Sequence, residues 1–317
     1  MSEFDLIARY FTRATPGALL GVGDDAALLQ VSAGNVLAVS SDMLVSGTHF
    51  FADADPFLLG HKTLAVNLSD LAAMGATPRW ATLAISLPKA NEAWLERFSA
   101  GFFALAEQHG VELIGGDTTR GPLNLCVTIF GEVPAQQALR RSGAQVGDEI
   151  WVSGSLGDAA LALAHLKRRF VLSDEELAAC VPALHQPQPR IALGLALRGI
   201  ASSAIDISDG LLADLGHILD ASQLGARLAF AALPVSSAVR SHLDQPLATR
   251  CVLAGGDDYE LCFTVPAARH AEVSDIAARL GLPLTCIGEV VAAPGCIVHD
   301  AAGNPLSTET CGYDHFR

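Results

Sequence analysis

The sequence predicts a mixed α/β (α+β) fold divided into two domains. Its 317 residues are enough for two domains of ordinary size, and half of them are hydrophobic, so each domain can bury a core. Segments with helical spacing of apolar residues alternate with shorter apolar runs typical of strands. This periodicity lapses between residues 134 and 147. We therefore expect an N-terminal mixed-sheet domain over residues 1–137 and a C-terminal α/β domain over residues 148–317.

The elements of the N-terminal half follow from apolar spacing and from residues that start or stop helices. Ser2 is suited to cap the first helix, and Asp55 to cap the second, in which Pro56 takes the first position. Gly110 closes the third helix. Helices are predicted at 3–13, 56–75 and 91–109, and strands at 36–40, 80–87, 111–114 and 123–133.

The C-terminal half follows the same reasoning. Strands are predicted at 149–153, 203–207, 259–265 and 284–291, and helices near 157–167, 174–180, 189–198 and 267–280, with a further helix from Gly210 to about Ala221.

Composition excludes some classes of protein. The net charge of −14 argues against a nucleic-acid partner, which needs a basic surface. No apolar stretch approaches the length of a membrane span, and the first residues lack the basic and apolar parts of a signal peptide. The seven cysteines form no Cys-x-x-Cys pair and are odd in number, which is typical of reduced thiols. We therefore expect a soluble, acidic, cytoplasmic protein.

Six clusters rich in Gly, Ser and Asp recur along the chain, most of them where an apolar run ends. They are Gly23-Asp24-Asp25, Ser40-Ser41-Asp42, Asn67-Leu68-Ser69-Asp70, Gly115 to Gly121, Asp206 to Gly210 and Gly255 to Glu260. Carboxylates at strand ends lie where loops converge and ligands bind. Oxygen-rich sites with little histidine suit Mg²⁺, which usually binds proteins through a few carboxylates and substrate phosphates. The pattern favours nucleotide-dependent phosphoryl transfer.

Asp70 lies on a helix that is apolar on nearly every side. With Thr63 and Asn67 it forms one polar stripe at positions i, i+4 and i+7. A buried carboxylate needs a cation or several hydrogen-bond donors, so Asp70 is a candidate metal ligand. The alternative is a structural Asp bonded to nearby backbone or to Lys62.

The other clusters also have structural alternatives. The glycines of Gly115–Gly121 allow a ligand to approach closely, yet the segment could be a loop between two strands. Ser208 or Asp209 could simply cap a helix, although a helix N-terminus also binds anions. The segment Gly255–Glu260 could be a turn with solvated acids. A lone His such as His49 is more often structural, and Tyr313 could be a packed C-terminal anchor.

Two common nucleotide-binding patterns are missing from the sequence. It contains no Gly-x4-Gly-Lys-Ser/Thr loop and no protein-kinase catalytic loop. ATP would therefore bind through another scaffold.

Six segments in order resemble the thiamine-monophosphate kinase family of the aminoimidazole-ribonucleotide-synthetase-like superfamily, over essentially the whole chain. They are Gly23–Ala27, Lys62–Ala76, Ile114–Pro122, Ala204–Ile218, Asp258–Thr264 and Gly312–Phe316. The resemblance implies two α/β domains, a homodimer formed by the N-terminal domain, and nucleotide sites near the domain cleft. It also implies transfer of the ATP γ-phosphoryl group to thiamine monophosphate, giving thiamine diphosphate.

The resemblance also implies roles for residues of this sequence. The Mg²⁺ ligands would be Asp25, Ser40, Ser41, Asp42, Asp70, Asp117, Asp206 and Asp209. The ATP contacts would be Gly116, Asp117, Arg141 and Ser208, and the thiamine-phosphate pocket would contain His49, Glu260 and Tyr313. The pair Asp257-Asp258 departs from the family pattern, which leaves the role of Asp257 open.

The chemistry agrees with this assignment. A phosphate acceptor is already nucleophilic, so no residue is assigned as base or nucleophile. Several Mg²⁺ ions would offset the repulsion between two polyanions and align them for direct in-line transfer.

Two other readings remain. One is another phosphoryl-transfer enzyme of the superfamily. A selenophosphate synthetase would carry a reactive Cys near its N-terminus, whereas the first cysteine of this chain is Cys126. A hydrogenase-maturation protein would end in Cys, whereas this chain ends in Arg317. A non-enzymatic cation-binding module would use compact Asp-x-Asp-x-Asp-Gly loops, whereas these acids are spread along the chain.

Overall fold

The computed structural model describes residues 2–306, which form two compact units. The first unit comprises the chain up to Leu71 together with Ala76–Gln136, and the second comprises Ala72–Gly75 and the chain from Gln137 onward. Each unit contains helices and one main sheet. The predicted two-domain mixed α/β fold is confirmed.

The first unit is built on a four-stranded mixed sheet. Its elements are α1 (Glu3–Leu6), β1 (Asn35–Val45), α2 (Pro56–Ala73), β2 (Thr77–Leu87), α3 (Glu92–His109), β3 (Glu112–Arg120) and β4 (Asn124–Pro134). The strand order is β1-β4-β2-β3, with β2 and β3 parallel and the other pairs antiparallel. Leu125, Val127 and Ile129 of β4 are fully buried, while the residues between them are half-buried. One face of the sheet therefore carries the core.

The helix starts agree with the predicted caps. Ser2 and Asp5 form a capping box at α1, and the Asp55 carboxylate accepts the backbone N–H groups of Phe57 and Leu58 at the start of α2. The predicted helix over 3–13 is wrong in one respect, because α1 ends at Leu6 and Ile7–Phe11 is a π-helix. Such segments are rare and frequently occur at functional sites.

Two strands of the first unit are longer than predicted. Ser40, Ser41 and Asp42 lie inside β1, which pairs with β4 along its whole length. The segment Gly115–Arg120 lies inside β3, so the alternative of a loop between two strands is wrong. A register shift in the β2–β3 ladder accommodates it, and Gly116 has φ of 148° with no room for a Cβ against the Leu83 carbonyl. Because these strand segments are rich in glycine and polar residues, apolar periodicity does not reveal them in the sequence.

The second unit is built on a six-stranded sheet of order β10-β7-β9-β5-β8-β6. Its strands are β5 (Asp148–Ser153), β6 (Ser203–Asp206), β7 (Gly225–Ala229), β8 (Leu261–Pro266), β9 (Leu284–Val291) and β10 (Gly295–His299). Its helices are α4 (Asp158–Leu166), α5 (Asp174–His185), α6 (Ile191–Ala196), α7 (Leu211–Ser222), α8 (Ser237–Arg240), α9 (Pro246–Ala254) and α10 (His270–Leu280). Pairing of β7 with β10 is parallel and the other pairs are antiparallel.

Sequence reasoning missed β7, β10, α8 and α9. They are only four to nine residues long, which is too short for apolar periodicity to separate them from loops. Helix α5 was predicted to end at 180 but continues through Pro182 to His185.

Within residues 2–306, no helix is long and apolar enough to cross a membrane. Cys180, Cys251 and Cys262 are buried, as predicted for cysteines inside apolar stretches. Burial, together with the neighbouring Asp158 carboxylate, raises the pKa of Cys180 to about 12. Burial and the Asp258 carboxylate raise the pKa of Cys251 to about 12 as well.

Candidate active site

The polar stripe of α2 faces β1. The Ser40 hydroxyl donates to Asp70 Oδ2 at 2.5 Å, and the backbone N–H of Asp42 donates to Asn67 Oδ1 at 3.1 Å. Asn67 in turn donates to the Thr63 carbonyl, which fixes its amide. Two of the predicted metal ligands, Ser40 and Asp70, are thus in direct contact.

Strand alternation places neighbouring residues of β1 on opposite faces of the sheet. Ser41 lies on the face away from Ser40, where its hydroxyl donates to the Val127 carbonyl at 3.1 Å and lies 3.0 Å from Thr128 Oγ1. The predicted ligands of the first unit therefore divide between the two faces of one sheet.

A cavity of about 610 Å³ lies in the first unit. Phe4, Ile7 and Phe11 form an apolar wall, and the segments 22–27 and 113–118 supply the rest together with two residues of β2. Asp25, Gly116 and Asp117 belong to this lining and are exposed. The cavity thus combines an apolar side with three carboxylates, those of Asp24, Asp25 and Asp117, and a glycine backbone.

His49 lies in the turn that follows β1 and is half-buried. The backbone N–H of Val45 donates to its Nδ1 at 2.9 Å. Because Nδ1 accepts this bond, the neutral ring carries its proton on Nε2.

Two of the acidic clusters pair with each other in the second unit. The N–H groups of Asp257 and Tyr259 donate to the carbonyls of Ser208 and Ile207 at 2.9 and 2.8 Å, and the N–H of Ile207 donates to the Glu260 carbonyl at 2.8 Å. Asp257 and Tyr259 have φ of 72° and 49°, which is costly for non-glycine residues and is typical of functional sites. The pairing holds Ser208 and Asp209 beside the segment 257–260.

The start of α7 is organised by Asp214, a residue that sequence reasoning did not select. Its Oδ2 accepts the backbone N–H groups of Ser208, Asp209 and Gly210 at 3.0, 3.0 and 3.1 Å. Burial raises the pKa of Asp214 to about 7, against the lowering effect of these bonds. The N-cap is Gly210 and makes no side-chain cap bond, so the alternative of a Ser208 or Asp209 cap is wrong.

Glu260 is held by a partly buried ion pair. Arg190 donates from Nε to Oε2 at 2.6 Å and from Nη2 to Oε1, and Ser153 Oγ donates to Oε2 at 2.5 Å. Gly154 packs against the carboxylate so closely that a Cβ there would collide with it. Arg190 was missed because nothing in its local sequence separates it from a surface arginine.

Asp258 and Asp206, on the same paired segments, are both buried. The N–H of Gly157, at the start of α4, lies 3.0 and 3.2 Å from the two carboxylate oxygens of Asp258. Burial, with Glu260 and Asp158 nearby, raises the pKa of Asp258 well above its ordinary value.

Two of the predicted site residues take no part in the contacts described above. Arg141 is exposed on the segment before β5. Tyr313 lies outside the described residues.

The oxygen donors of the site fit Mg²⁺, the ion that the family resemblance implies. Among residues 2–306, no three His, Cys, Asp or Glu side chains lie close enough to form a metal site by themselves. Mg²⁺ usually takes one or two carboxylates and completes its shell with water and substrate phosphates. The oxygens of Ser40 and Asp70 adjoin each other, and the predicted set of metal ligands contains neither histidine nor cysteine. Both features agree with this mode of Mg²⁺ coordination.

Family models match both units. The N-terminal domain of AIR synthase related proteins matches residues 23–133, and the C-terminal domain of the same family matches residues 145–301. The thiamine-monophosphate kinase of Escherichia coli (strain K12) is 51% identical over 320 residues, covering 99% of this chain and 98% of that protein. The chain belongs to the thiamine-monophosphate kinase family.

Solved structures agree with this family. A crystal structure of thiamine-monophosphate kinase from Stenotrophomonas maltophilia K279a is 50% identical, with a TM-score of 0.85 and 96% of each chain covered. The structure of AaThiL complexed with AMPPCP and TMP is 28% identical, with a TM-score of 0.78, covering 99% of this chain and 96% of that one. The resemblance inferred from the sequence, and the assignment of the chain to the kinases, are confirmed.

Proposed function

We propose that this protein transfers the γ-phosphoryl group of ATP to thiamine monophosphate, giving thiamine diphosphate. The observation that carries the proposal is the 51% identity to a thiamine-monophosphate kinase through both units. A relative at 28% identity has been solved in complex with AMPPCP, an analogue of ATP, and with TMP.

The cavity of the first unit is the proposed nucleotide site. Its volume of about 610 Å³ is in the range of small-molecule pockets. The apolar wall of Phe4, Ile7 and Phe11 suits a flat base, and Gly116 lets a phosphate chain approach the backbone. Arg141 and Ser208 are the further proposed ATP contacts.

The residues proposed to hold Mg²⁺ are Asp25, Ser40, Ser41, Asp42, Asp70, Asp117, Asp206 and Asp209. When bound, Mg²⁺ would offset the negative charge of the two substrates. The protein's own part is to hold these oxygens in place, as α2 does for Asp70 and the paired segments of the second unit do for Asp209.

Transfer would be direct and in line. The acceptor phosphate of thiamine monophosphate is nucleophilic without a base, so no residue acts as a proton acceptor and no phosphoenzyme forms. The rate then depends on positioning two polyanions, which is the task of the oxygen ligands and phosphate contacts.

His49, Glu260 and Tyr313 are the proposed contacts to thiamine monophosphate. The ion pair with Arg190 fixes the orientation of the Glu260 carboxylate. The remaining lone pairs of this carboxylate suit the amino group of the aminopyrimidine, or its negative charge suits the cationic thiazolium ring.

The first unit also supports the proposed homodimer. On the face of β1 that carries Ser41, Leu37, Val39 and Met43 are 39%, 54% and 56% exposed. Because β1 is an edge strand with an apolar exposed face, a second copy of the chain would bury it favourably.

We place the ATP-dependent reaction in the cytoplasm, with no membrane or nucleic-acid partner.

The test is a kinase assay on the purified protein. ATP consumption is measured with and without thiamine monophosphate, and thiamine diphosphate is followed directly by chromatography. We expect the diphosphate to form only when ATP, Mg²⁺ and thiamine monophosphate are all present. An equal rate of ATP consumption with and without thiamine monophosphate would overturn the proposal.

A further inference from the structure

A long loop of the first unit, residues 12–34, joins the π-helix to β1. None of its residues is buried, and Leu19 and Leu28 are 68% and 55% exposed. The Leu28 carbonyl accepts the N–H groups of Leu19 and Leu20 at 2.8 and 3.2 Å, which closes a short hairpin. Apolar burial does little to hold this loop, so its position depends on polar contacts.

The tip of the hairpin, residues 22–27, lines the cavity of about 610 Å³ that is the proposed nucleotide site. It carries Asp24 and Asp25, and the N–H of Asp25 donates to Asp24 Oδ1 at 2.9 Å, a bond within the tip. A Cβ at Gly23 would have no neighbour within 4 Å, so the tip borders open space. The place of Asp25 at the cavity is therefore set further back along the loop.

Two glutamates of the sheet hold the two ends of the hairpin. The N–H of Gly17 donates to Glu112 Oε1 at 2.7 Å. The N–H and hydroxyl of Ser32 donate to Glu132 Oε1 and Oε2 at 2.7 and 2.9 Å. Within the part of the chain that the structure describes, every side-chain hydrogen bond between this loop and the sheet involves one of these two carboxylates. The loop is thus fixed on both sides of Asp25.

Glu132 is itself held from the sheet side. It is 2% exposed, and its Oε2 also accepts from Asn35 Nδ2 and Arg79 Nε, each at 3.3 Å. Burial would raise the pKa of Glu132, but the bonds from Ser32, Asn35 and Arg79 lower it below its ordinary value. The carboxylate is therefore charged at neutral pH, and its bonds from Ser32 are of the strong, charge-assisted kind.

The two glutamates border the same small cavity. Glu112 is the first residue of β3, and with Glu132, Gly17 and Ser32 it lines a space of about 200 Å³. Further along the same strand, residues 113–118 line the larger cavity. Strand β3 thus connects the points that hold the loop with the proposed nucleotide site.

We propose that Glu112 and Glu132 are positioning residues, which fix the two ends of the hairpin and so hold Asp25 at the nucleotide cavity. The proposal rests on the proposed function, because it takes Asp25 as a Mg²⁺ ligand beside ATP. Neither glutamate belongs to the lining of the nucleotide cavity. Misplacing a binding group by about 1 Å can cost on the order of a hundredfold in rate, so a loosened loop affects the site from a distance.

The first measurement is the freedom of the loop. An endoproteinase that cuts before Asp attacks the tip at Asp24 and Asp25 and, as an internal reference, the exposed turn at Asp53. Glu112→Ala should raise the rate of cutting at the tip at least fivefold and leave the rate at Asp53 within twofold, because proteolysis follows local opening. Glu107→Ala, which removes an exposed acid from α3, is the matched control and should change neither rate.

The second measurement is the nucleotide site. Binding of Mn²⁺ in the presence of AMPPCP, followed by electron paramagnetic resonance, needs no turnover, and Glu112→Ala should weaken it at least fivefold. In the kinase assay this variant should raise the KM for ATP and leave the KM for thiamine monophosphate within twofold. Glu112→Gln keeps an oxygen that can accept the Gly17 N–H, so every measurement should stay within twofold of wild type.

Ser32→Ala tests Glu132 from the loop side. It removes the hydroxyl bond and leaves the N–H bond, so cutting at the tip should rise at least twofold. An unchanged rate would remove Glu132 from the proposal.

Three results would overturn the proposal for Glu112. They are Glu112→Ala that is cut no faster at the tip, faster cutting with unchanged Mn²⁺ affinity, and Glu112→Gln as weak as Glu112→Ala. If Glu112→Ala does not fold, Glu112→Ser takes its place under the same criteria. Wild-type protein that binds Mn²⁺ and AMPPCP but forms no thiamine diphosphate would reject the proposed function and leave this inference standing.

Discussion

The hydroxyl of Ser40 on β1 lies 2.5 Å from Oδ2 of Asp70 on α2, so a strand and a helix separated by thirty positions in the chain present two oxygens at one point. We predict that Asp70→Asn lowers turnover at least a hundredfold, because it removes a shared ligand charge while preserving side-chain volume. The measurement is kcat for thiamine diphosphate formation, with circular dichroism to verify the fold.

Asp53→Asn is the control for this variant, since Asp53 is exposed in the same unit and has no predicted role. Its kcat should equal that of wild type. Near-normal turnover in Asp70→Asn would contradict the metal role of Asp70.

Glu260→Gln should raise the KM for thiamine monophosphate more than the KM for ATP. The substitution removes the charge that pairs with Arg190, so the remaining carbonyl and amide no longer match the guanidinium on both sides. Steady-state kinetics with each substrate varied in turn measures the split. Glu289→Gln, in an exposed ion pair with Arg227, is the control and should change neither constant. Equal effects on both constants in Glu260→Gln would count against a thiamine contact.

Mg²⁺ with a non-hydrolysable ATP analogue should raise the melting temperature by several degrees. A ligand that binds only the folded state stabilises it by about 2.7 kcal/mol at a hundredfold excess over Kd. Asp70→Asn should shrink this shift. Thermal melts at fixed ionic strength, with K⁺ replacing Mg²⁺ as control, measure the difference. Identical wild-type melts in the two salts would mean that the carboxylates form no cation site.

Acid should remove the contribution of Glu176 to stability. The N–H and hydroxyl of Ser173 donate to this carboxylate and lower its pKa from 4.5 to about 2, with help from Ser241 and His242. Because the folded-state pKa is depressed, the stabilisation is complete above about pH 4.5 and is lost as the pH falls towards 2.

Urea midpoints of wild type and Glu176→Gln at pH 7 and pH 3 test this. The gap between the two proteins should be smaller at pH 3, whereas Glu175→Gln, one residue earlier in the same helix turn, should show no such change. A gap that is as wide at pH 3 as at pH 7 would refute the prediction.

The sequence predicts the two-domain mixed α/β fold and the long elements, because apolar periodicity and caps such as Ser2 and Asp55 are local signals. The stripe Thr63, Asn67 and Asp70 correctly identified the polar face of α2. The strand positions of Ser41 and Asp117 were not predicted, since they depend on pairing with distant strands. Arg190 and Asp214 were missed for the same reason: each matters through a partner that only folding supplies. The roles of the metal, ATP and substrate residues stay predictions.

The order of strands in the second unit has a consequence for synthesis on the ribosome. Strand β5 is the first of its sheet to be made, yet its neighbours on both sides are β8 and β9, which follow more than a hundred residues later. At about 5–20 residues per second, the apolar residues Ile150 and Val152 wait on the order of ten seconds for their partners. The first unit can complete its four-stranded sheet during that time. Nascent chains stalled between β7 and β8 should therefore be the ones that chaperones bind most strongly.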